Sequence, residues 1–224
     1  MIFLSGCSNA HLRANAYTYG IGLMLNPDSR AEQQIKHFPT FAVDNGCFAE
    51  ASGKPFVLDR YLAWLEKLQP YQHKCLFAVA PDRFHPSGWW QGETTAAATL
   101  ERSLPVMPCM RALGYKVALV AQNGLEHLTV PWEAFDVLFI GGDTTWKLGW
   151  AALALMREAH DRGKGVHVGR VNTINRLALV TAMGADSCDG TTIKYGHTIN
   201  FPRVLRGLGI VPRRQSTSGW SENR

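Results

Sequence analysis

Residues 117–143 read VALVAQNGLEHLTVPWEAFDVLFIGGD, and this stretch contains the pattern that decides the fold. Two short apolar runs, Val117–Ala121 and Val137–Ile140, each end abruptly at a polar turn that contains glycine. Continuous apolar runs of this length are typical of strands buried on both faces, as parallel strands usually are. The stretch therefore predicts two parallel strands joined by a crossover.

The same unit recurs along the chain and predicts eight strands separated by segments of helical period. The predicted strands are Ile2–Leu4, Ile21–Leu25, Phe41–Val43, Leu76–Ala80, Val117–Ala121, Val137–Ile140, Val166–Val168 and Ala185–Cys188. The predicted helices are His11–Tyr19, Ala31–His37, Leu58–Leu68, Thr94–Leu113, a short one near Leu125–Leu128, Leu148–Arg162, Ile174–Met183 and Pro202–Leu208.

This alternation predicts an α/β protein, and the number of units favours a compact (β/α)8 TIM-like barrel. Eight units share 224 residues, about 28 residues each, which is near the lower limit for such barrels. An open doubly wound sheet is the alternative. No Gly-x-Gly-x-x-Gly motif follows the first strand, which disfavours dinucleotide binding.

Composition and charge narrow the class of protein. Hydrophobic residues make up 46% of the chain and charged residues 18%, which excludes an intrinsically disordered protein. We expect one catalytic domain over residues 1–212 and a disordered polar tail over residues 213–224. The net charge of +5 permits a nucleic-acid partner without requiring one, since the tail contributes +2 of it.

Several other classes of protein are disfavoured by what the sequence lacks. The five cysteines are well separated and form no Cys-x-x-Cys pair, so neither a disulfide framework nor a zinc ribbon is expected. No apolar run approaches the roughly 20 residues of a membrane span, and no basic segment precedes the apolar residues of the amino terminus. We therefore expect a cytoplasmic protein without a membrane partner.

Polar and glycine-rich residues follow the predicted strands, at the end where barrel enzymes carry their chemistry. These strand ends are Ser5-Gly6, Asn26, Asp44-Asn45-Gly46, Asp82-Arg83, Gln122-Asn123-Gly124, Gly141-Gly142-Asp143, Gly169-Arg170 and Asp189-Gly190. A pocket with two or three carboxylates suits glycosidic bond exchange, in which one carboxylate attacks and another transfers protons. Each residue taken alone also fits a helix cap or a turn.

Five of these segments, in chain order, resemble motifs of the tRNA-guanine transglycosylase superfamily. Val43–Phe48 resembles its Asp-Ser-Gly-Gly-Phe/Tyr motif, and Val120–Gly124 is similar to its Val-Gln-Gly-Gly strand end. Ile140–Gly142 resembles an Ile-Gly-Gly turn, and His167–Val171 is a looser match to Met-Gly-Val-Gly. Gly184–Asp189 resembles the Gly-x-Asp-x-Phe-Asp run that carries the family's nucleophile.

The resemblance implies a barrel that cuts the N-glycosidic bond of a guanine in a polynucleotide and installs a free 7-deazaguanine base. It implies that Asp189 attacks the sugar C1′ to give a covalent intermediate, with Asp44 as general acid and base. It further implies a set of base-binding residues: Asp82, Gln122, Gly141, the Gly142 amide, Phe48 as a stacking ring, and Val168 at the position of a base-stacking Met. No cofactor is implied.

Departures from the family pattern bear on the substrate. The zinc subdomain after the nucleophile is absent, since no cysteine follows Cys188, so no metal is expected. The short, zinc-free form resembles the transglycosylases of phage and actinobacterial DNA-modification systems. DNA is therefore preferred over tRNA as the partner. The target base must be unstacked to reach the pocket, and an accessory protein that loads the DNA is compatible with this interpretation.

Three basic residues follow strands on the face where a polynucleotide would lie: Arg83, Arg170 and Lys194. They are candidates for contacts to the nucleic-acid backbone, and a solvated rim of ordinary composition is the alternative. His167, within the seventh strand, is interpreted as an interior histidine with satisfied hydrogen bonds. Besides the tRNA enzyme, two rival functions remain: a hydrolase that releases the base to water, and a non-catalytic nucleic-acid binding barrel.

Overall fold

The computed structural model describes residues 1–27, 32–85, 89–90, 93–194 and 196–210. Its centre is a closed barrel of eight parallel strands, each bonded to its neighbours in chain order, with the first strand paired to the last. The barrel strands are β1 (Ile2–Ser5), β2 (Gly22–Leu25), β3 (Phe41–Val43), β4 (Cys75–Val79), β5 (Val117–Ala121), β6 (Val137–Ile140), β7 (Gly165–Val168) and β8 (Ser187–Gly190). The predicted (β/α)8 barrel is confirmed.

Helices surround the barrel. The α-helices are α1 (Ala10–Tyr19), α2 (Glu32–Ile35), α3 (Leu58–Leu68), α4 (Thr95–Ser103), α5 (Met107–Ala112), α6 (Thr144–Lys147), α7 (Trp150–Asp161), α8 (Ile174–Ala182) and α9 (His197–Gly207). Short 3-10 helices span Cys47–Ser52, Gln69–Lys74, Leu125–His127, Trp132–Ala134 and Thr192–Lys194. An antiparallel pair of two-residue strands, Trp89–Trp90 and Glu93–Thr94, lies outside the barrel after β4.

One predicted helix is divided in the structure, and another begins later than expected. The predicted helix Thr94–Leu113 breaks between α4 and α5 because Pro105 has no backbone N–H to continue the helical ladder. Pro108 is tolerated in the first turn of α5, where that N–H has no helical partner. The predicted helix Leu148–Arg162 begins later, at Trp150, and the separate α6 precedes it. The polar tail, residues 213–224, lies outside the described residues.

Alternation along the strands builds two apolar layers, because successive side chains of a strand point to opposite faces. Side chains inside the barrel form one cluster: Leu4, Ala42, Phe77, Val79, Ala118, Val120 and Val137. The intervening residues, such as Phe3, Phe41, Leu119 and Leu138, pack outward against the helices. This alternation places Asp189 on the inner face of β8, two residues after the inward-facing Ser187.

Candidate active site

A cavity of about 220 Å³ opens among the carboxyl ends of the strands. It is small compared with the ~300–1,000 Å³ typical of pockets for drug-sized ligands, so it suits a single base-sized ring system. Its lining residues are Met24, Asp44, Asn45, Phe48, Val79, Asp82, Phe84, Val120, Gln122, Phe139, Gly141, Gly142, Arg170 and Asp189. The structure thus brings together residues that the sequence predicted from six separate strand ends.

Asp44 directly follows β3 and contributes one carboxylate to the cavity. Burial raises the pKa of Asp44 from its ordinary 3.8 to about 7, and the negative charges of Asp82 and Asp189 act in the same direction. Backbone N–H groups of Asn45 and Gly46 donate to the carboxylate and oppose this rise. A carboxyl group with a pKa near 7 is populated both with and without its proton at neutral pH, which suits a general acid and base.

Asp189 contributes the second carboxylate from the inner face of β8, and its side chain is 16% exposed. Its Oδ1 atom accepts a hydrogen bond from the backbone N–H of Arg170 at 3.2 Å. The same oxygen lies 3.1 Å from Nε2 of His167. Both donors come from β7 or from the residues directly after it, so the neighbouring strand holds this carboxylate in place.

A hydrogen-bonded network covers one wall of the cavity and joins the ends of β3, β4, β5 and β6. Gln122 donates through Nε2 to Oδ2 of Asp82 at 2.7 Å, and its Oε1 accepts the backbone N–H of Gly142 at 2.9 Å. Asn45 donates through Nδ2 to Oδ1 of Asp82 at 3.0 Å and to the Ala80 carbonyl at 2.8 Å. Burial raises the pKa of Asp82, while the amide donors favour its ionised form.

This network corrects one expectation about base recognition. The Gly142 amide is bonded to Gln122, and the Gly141 amide donates to the Ala121 carbonyl at 2.9 Å, so neither N–H is free for a ligand. Asp82 keeps acceptor capacity, because a carboxylate has about four lone-pair sites and two are used here. The acceptor groups of Asp82, rather than the glycine amides, are therefore the available contacts for the N–H groups of a base.

Two aromatic rings and an arginine form the rim. Phe48 is 54% exposed, and its ring centroid lies 4.7 Å from that of Phe84. The Arg170 guanidinium lies 5.3 Å from the Phe48 centroid and 5.1 Å from the Phe84 centroid, and it donates to the Gly142 carbonyl. Arg170 has a φ of 57°, the one positive φ of a non-glycine residue in the described part of the chain. Strained backbone of this kind concentrates at functional sites.

Three of the predicted residues do not line the cavity. Val168 is fully buried in the layer between the barrel and the helices. It follows His167 directly on β7, so the two side chains point to opposite faces of the strand. The prediction that Val168 faces the base is therefore wrong. Arg83 forms an ion pair with Glu50 at 3.3 Å. Lys194 ends the 3-10 helix after β8 and is exposed outside the cavity.

Sequence reasoning did not assign a role at the site to Lys147 or Phe84. Lys147 is 3% exposed and donates through Nζ to the Gly169 carbonyl at 2.6 Å. Burial, with the charge of Arg170 nearby, lowers the pKa of Lys147 from 10.5 to about 7. This bond fixes the turn that presents the Arg170 N–H to Asp189. No sequence signal marks Lys147, since a lysine in a short helix usually faces solvent.

In the described ranges, no group of three His, Cys, Asp or Glu side chains is arranged to hold a metal ion. Within the same ranges, every helix is too short or too polar to cross a bilayer.

Comparisons with known proteins bear on the fold alone. No protein-family model matches the chain, and no curated protein matches it. Among solved structures, the chain is similar to one described as native KDPGal, with a TM-score of 0.51 and 13% sequence identity. The similarity covers 92% of this chain and 88% of that one. At this identity the likeness supports the shared barrel architecture and does not extend to activity.

Proposed function

We propose that the protein exchanges guanine in DNA for a free 7-deazaguanine base through a covalent aspartyl-nucleic acid intermediate. One observation carries the proposal: the carboxylates of Asp44 and Asp189 line the same base-sized cavity and differ in environment. Two carboxyl groups with divided roles, one attacking and one transferring protons, are what exchange at a glycosidic carbon requires.

In the first step, the Asp189 carboxylate attacks C1′ of the flipped nucleotide as the bond from C1′ to N9 of guanine breaks. The bonding electron pair leaves with the base, and the carboxylic acid of Asp44 supplies the proton that neutralises it. Guanine departs, and the sugar stays esterified to Asp189. The pKa of about 7 for Asp44 supports this role, because the acid form is available at neutral pH.

In the second step, N9 of the incoming 7-deazaguanine attacks C1′, and the bond between Asp189 and C1′ breaks. Asp44, now ionised, takes the proton from N9, and the Asp189 carboxylate is regenerated. Each residue therefore ends in the protonation state in which it began. No cofactor is needed for this balance.

Selection of the base is assigned to the wall and the rim of the cavity. The free acceptor positions of Asp82 suit the N–H groups on the pyrimidine edge of guanine and of 7-deazaguanine, while Gln122 fixes the orientation of Asp82. Phe48, at the rim, provides a face for stacking. A base without those N–H groups would leave buried acceptors unpaired, which is costly, and would be rejected.

Base exchange in a labelled polymer tests the proposal. We expect the protein to incorporate labelled guanine into guanine-containing DNA, and Asp189→Asn to lower the rate by at least about 1,000-fold. Asp186→Asn is the matched control, because Asp186 immediately precedes β8 but is exposed and bonded to His160 away from the cavity. Mass spectrometry of nucleosides after co-expression with a deazaguanine pathway then identifies the base and the polymer.

The alternatives give different products. Label found in tRNA and absent from DNA would replace DNA by tRNA as the substrate. Abasic sites or free guanine without incorporation would indicate the hydrolase. Binding to DNA with steep salt dependence, unaffected by substitution of Asp44 or Asp189 and without any exchange, would indicate a binding module. Unchanged incorporation in Asp189→Asn would refute the assigned nucleophile.

A further inference from the structure

A histidine inside the barrel touches the Asp189 carboxylate. His167, on the inner face of β7, is fully buried, and its ring is packed against those of Phe77 and Phe139, with centroids 5.0 and 4.5 Å away. Its Nε2 lies 3.1 Å from Oδ1 of Asp189, and its Nδ1 lies 2.9 Å from Oγ of Ser187. Both polar atoms of the ring are thus bonded in an otherwise apolar layer.

The partners fix where the ring carries its proton. An ionised carboxylate only accepts hydrogen bonds, so the proton in the contact with Asp189 lies on Nε2. In the neutral ring, Nδ1 then accepts a hydrogen bond from the hydroxyl group of Ser187. Ser187 is 6% exposed and precedes Asp189 by two residues on the same face of β8. The strand that carries the carboxylate therefore also supplies the group that orients its histidine.

The two carboxylate oxygens of Asp189 therefore differ in the hydrogen bonds that they accept. Oδ1 accepts from both His167 and the Arg170 backbone N–H, whereas no hydrogen bond to Oδ2 is present among the described residues. Hydrogen bonds reduce the availability of lone pairs on the oxygen that accepts them. Oδ2 thus retains the more available lone pairs, on a carboxylate that lines the cavity.

We infer that His167 is a positioning residue that reserves Oδ1 of Asp189 for hydrogen bonding and leaves Oδ2 as the atom that attacks C1′. The inference rests on the proposed function. In the ester between Oδ2 and C1′, Oδ1 is the carbonyl oxygen and keeps both donors. When the bond between Oδ2 and C1′ breaks, its electron pair returns to a carboxylate that the same donors stabilise.

Kinetics of two His167 variants separate positioning from packing. His167→Leu removes the donor and is expected to lower kcat about 10- to 100-fold with little change in KM, by analogy with the loss found when the hydrogen-bond partners that orient metal-binding side chains are removed. His167→Gln places an amide N–H near the position of Nε2 and should recover most of that loss. Ser187→Ala removes the orienting group and keeps the donor, so its loss should be smaller than that of His167→Leu.

A second His–Asp pair provides the control. His160 and Asp186 are also 3.1 Å apart, but both are exposed and neither lines the cavity. His160→Leu should leave kcat unchanged. Recovery in His167→Gln would support the inference. A glutamine variant no better than the leucine variant, or a loss confined to KM, would overturn it.

Nitrogen NMR of the free protein tests the contact without any activity. We expect His167 to carry its proton on Nε2 in the wild type and to lose this single tautomer in Asp189→Ala. An unprotonated Nε2 in the wild type would overturn the inference whatever the kinetics give. A wild type that shows this tautomer but exchanges no base would refute the proposed function while leaving the hydrogen bond established.

Discussion

The two mouths of the barrel both contain hollows lined with carboxylates, yet they differ in what those carboxylates do. The hollow at the amino ends of the strands is the larger, about 360 Å³ against about 220 Å³. There, Asp136 accepts the Val117 N–H at 2.8 Å and pairs with Arg111 at 3.0 Å. Asp186 repeats the arrangement with the Val166 N–H at 2.8 Å and His160 at 3.1 Å.

At this mouth, the lower mouth, each carboxylate connects its own strand to the preceding strand by a hydrogen bond and also has a basic partner. At the mouth formed by the carboxyl ends of the strands, the upper mouth, Asp189 also has a histidine partner, His167. Among the described residues, however, neither Asp44 nor Asp82 takes part in an ion pair, and burial raises the pKa of both. Groups whose pKa is shifted by burial are candidates for chemistry, whereas Asp136 and Asp186 hold neighbouring strands together. The pKa shifts of Asp44 and Asp82, rather than the size of the hollow, therefore distinguish the candidate active site.

The largest expected effect comes from removing the acid at the upper mouth. Asp44→Asn should lower the rate of base exchange by about 100- to 10,000-fold, the usual contribution of a general acid and base. In the wild type, kcat/KM for exchange should fall as the pH rises through about 7, because the pKa of Asp44 is raised to about 7 and the acid form is then lost. Steady-state kinetics between pH 5 and about 9 would measure both effects.

The pH profile supplies the internal control. The residual activity of Asp44→Asn should not decline near pH 7, since the titrating group is gone. A variant that keeps the same decline would show that another group controls the profile. Asp44 would then not be the general acid, and nothing would distinguish its role from the structural role of Asp136 at the lower mouth.

The sequence predicted the positions of the strands better than it predicted where each strand ends. Short continuous apolar runs that end at polar, glycine-rich turns predicted the eight strands, and the residues at those ends, among them Asp44, Asp82, Gln122 and Asp189, lie around one mouth of the barrel. The predicted Ala185–Cys188 lies two residues before the observed β8, so Asp189 is within the strand rather than after it. Short apolar runs have poorly determined ends, and here the pairing of Leu4 with Asp189 across the closing seam sets the register.

The face of a strand to which each side chain points was harder to predict than the presence of the strand. Val168 was assigned to the cavity on the strength of a motif match, yet a shift of one residue along β7 places His167 inside and Val168 outside. The Gly142 amide was expected to be free, and Gln122 occupies it. Both outcomes depend on contacts between separate strands, which no local pattern encodes.

An intermediate effect, on stability alone, is expected at the lower mouth. Asp136→Ala removes the acceptor of the buried Val117 N–H together with the ion pair to Arg111. The variant should lose about 1–3 kcal/mol of unfolding free energy, the range for leaving a buried donor unsatisfied, with the exchange rate unchanged. Urea denaturation at neutral pH would measure the loss.

A surface carboxylate provides the reference for that measurement. Asp161→Ala, at the exposed end of α7, should change the unfolding free energy by less than about 0.5 kcal/mol. A loss of exchange activity in Asp136→Ala at temperatures where the protein remains folded would contradict the division between the two mouths.

A pH-dependent gain in stability is expected from Asp44→Asn, the substitution that abolishes proton transfer. Because the pKa of Asp44 is raised in the folded state, the unfolded chain releases this proton more easily, and stability is lost as the pH rises from about 4 to about 7. Asp44→Asn has no proton to lose, so its advantage over the wild type should be absent near pH 4, grow through this range and level off above pH 7, at up to about 4 kcal/mol. Thermal unfolding at several pH values would record it. If the difference in stability between the variant and the wild type were the same at all pH values, the pKa of Asp44 would not be raised by folding. The contrast between the two mouths would then not hold.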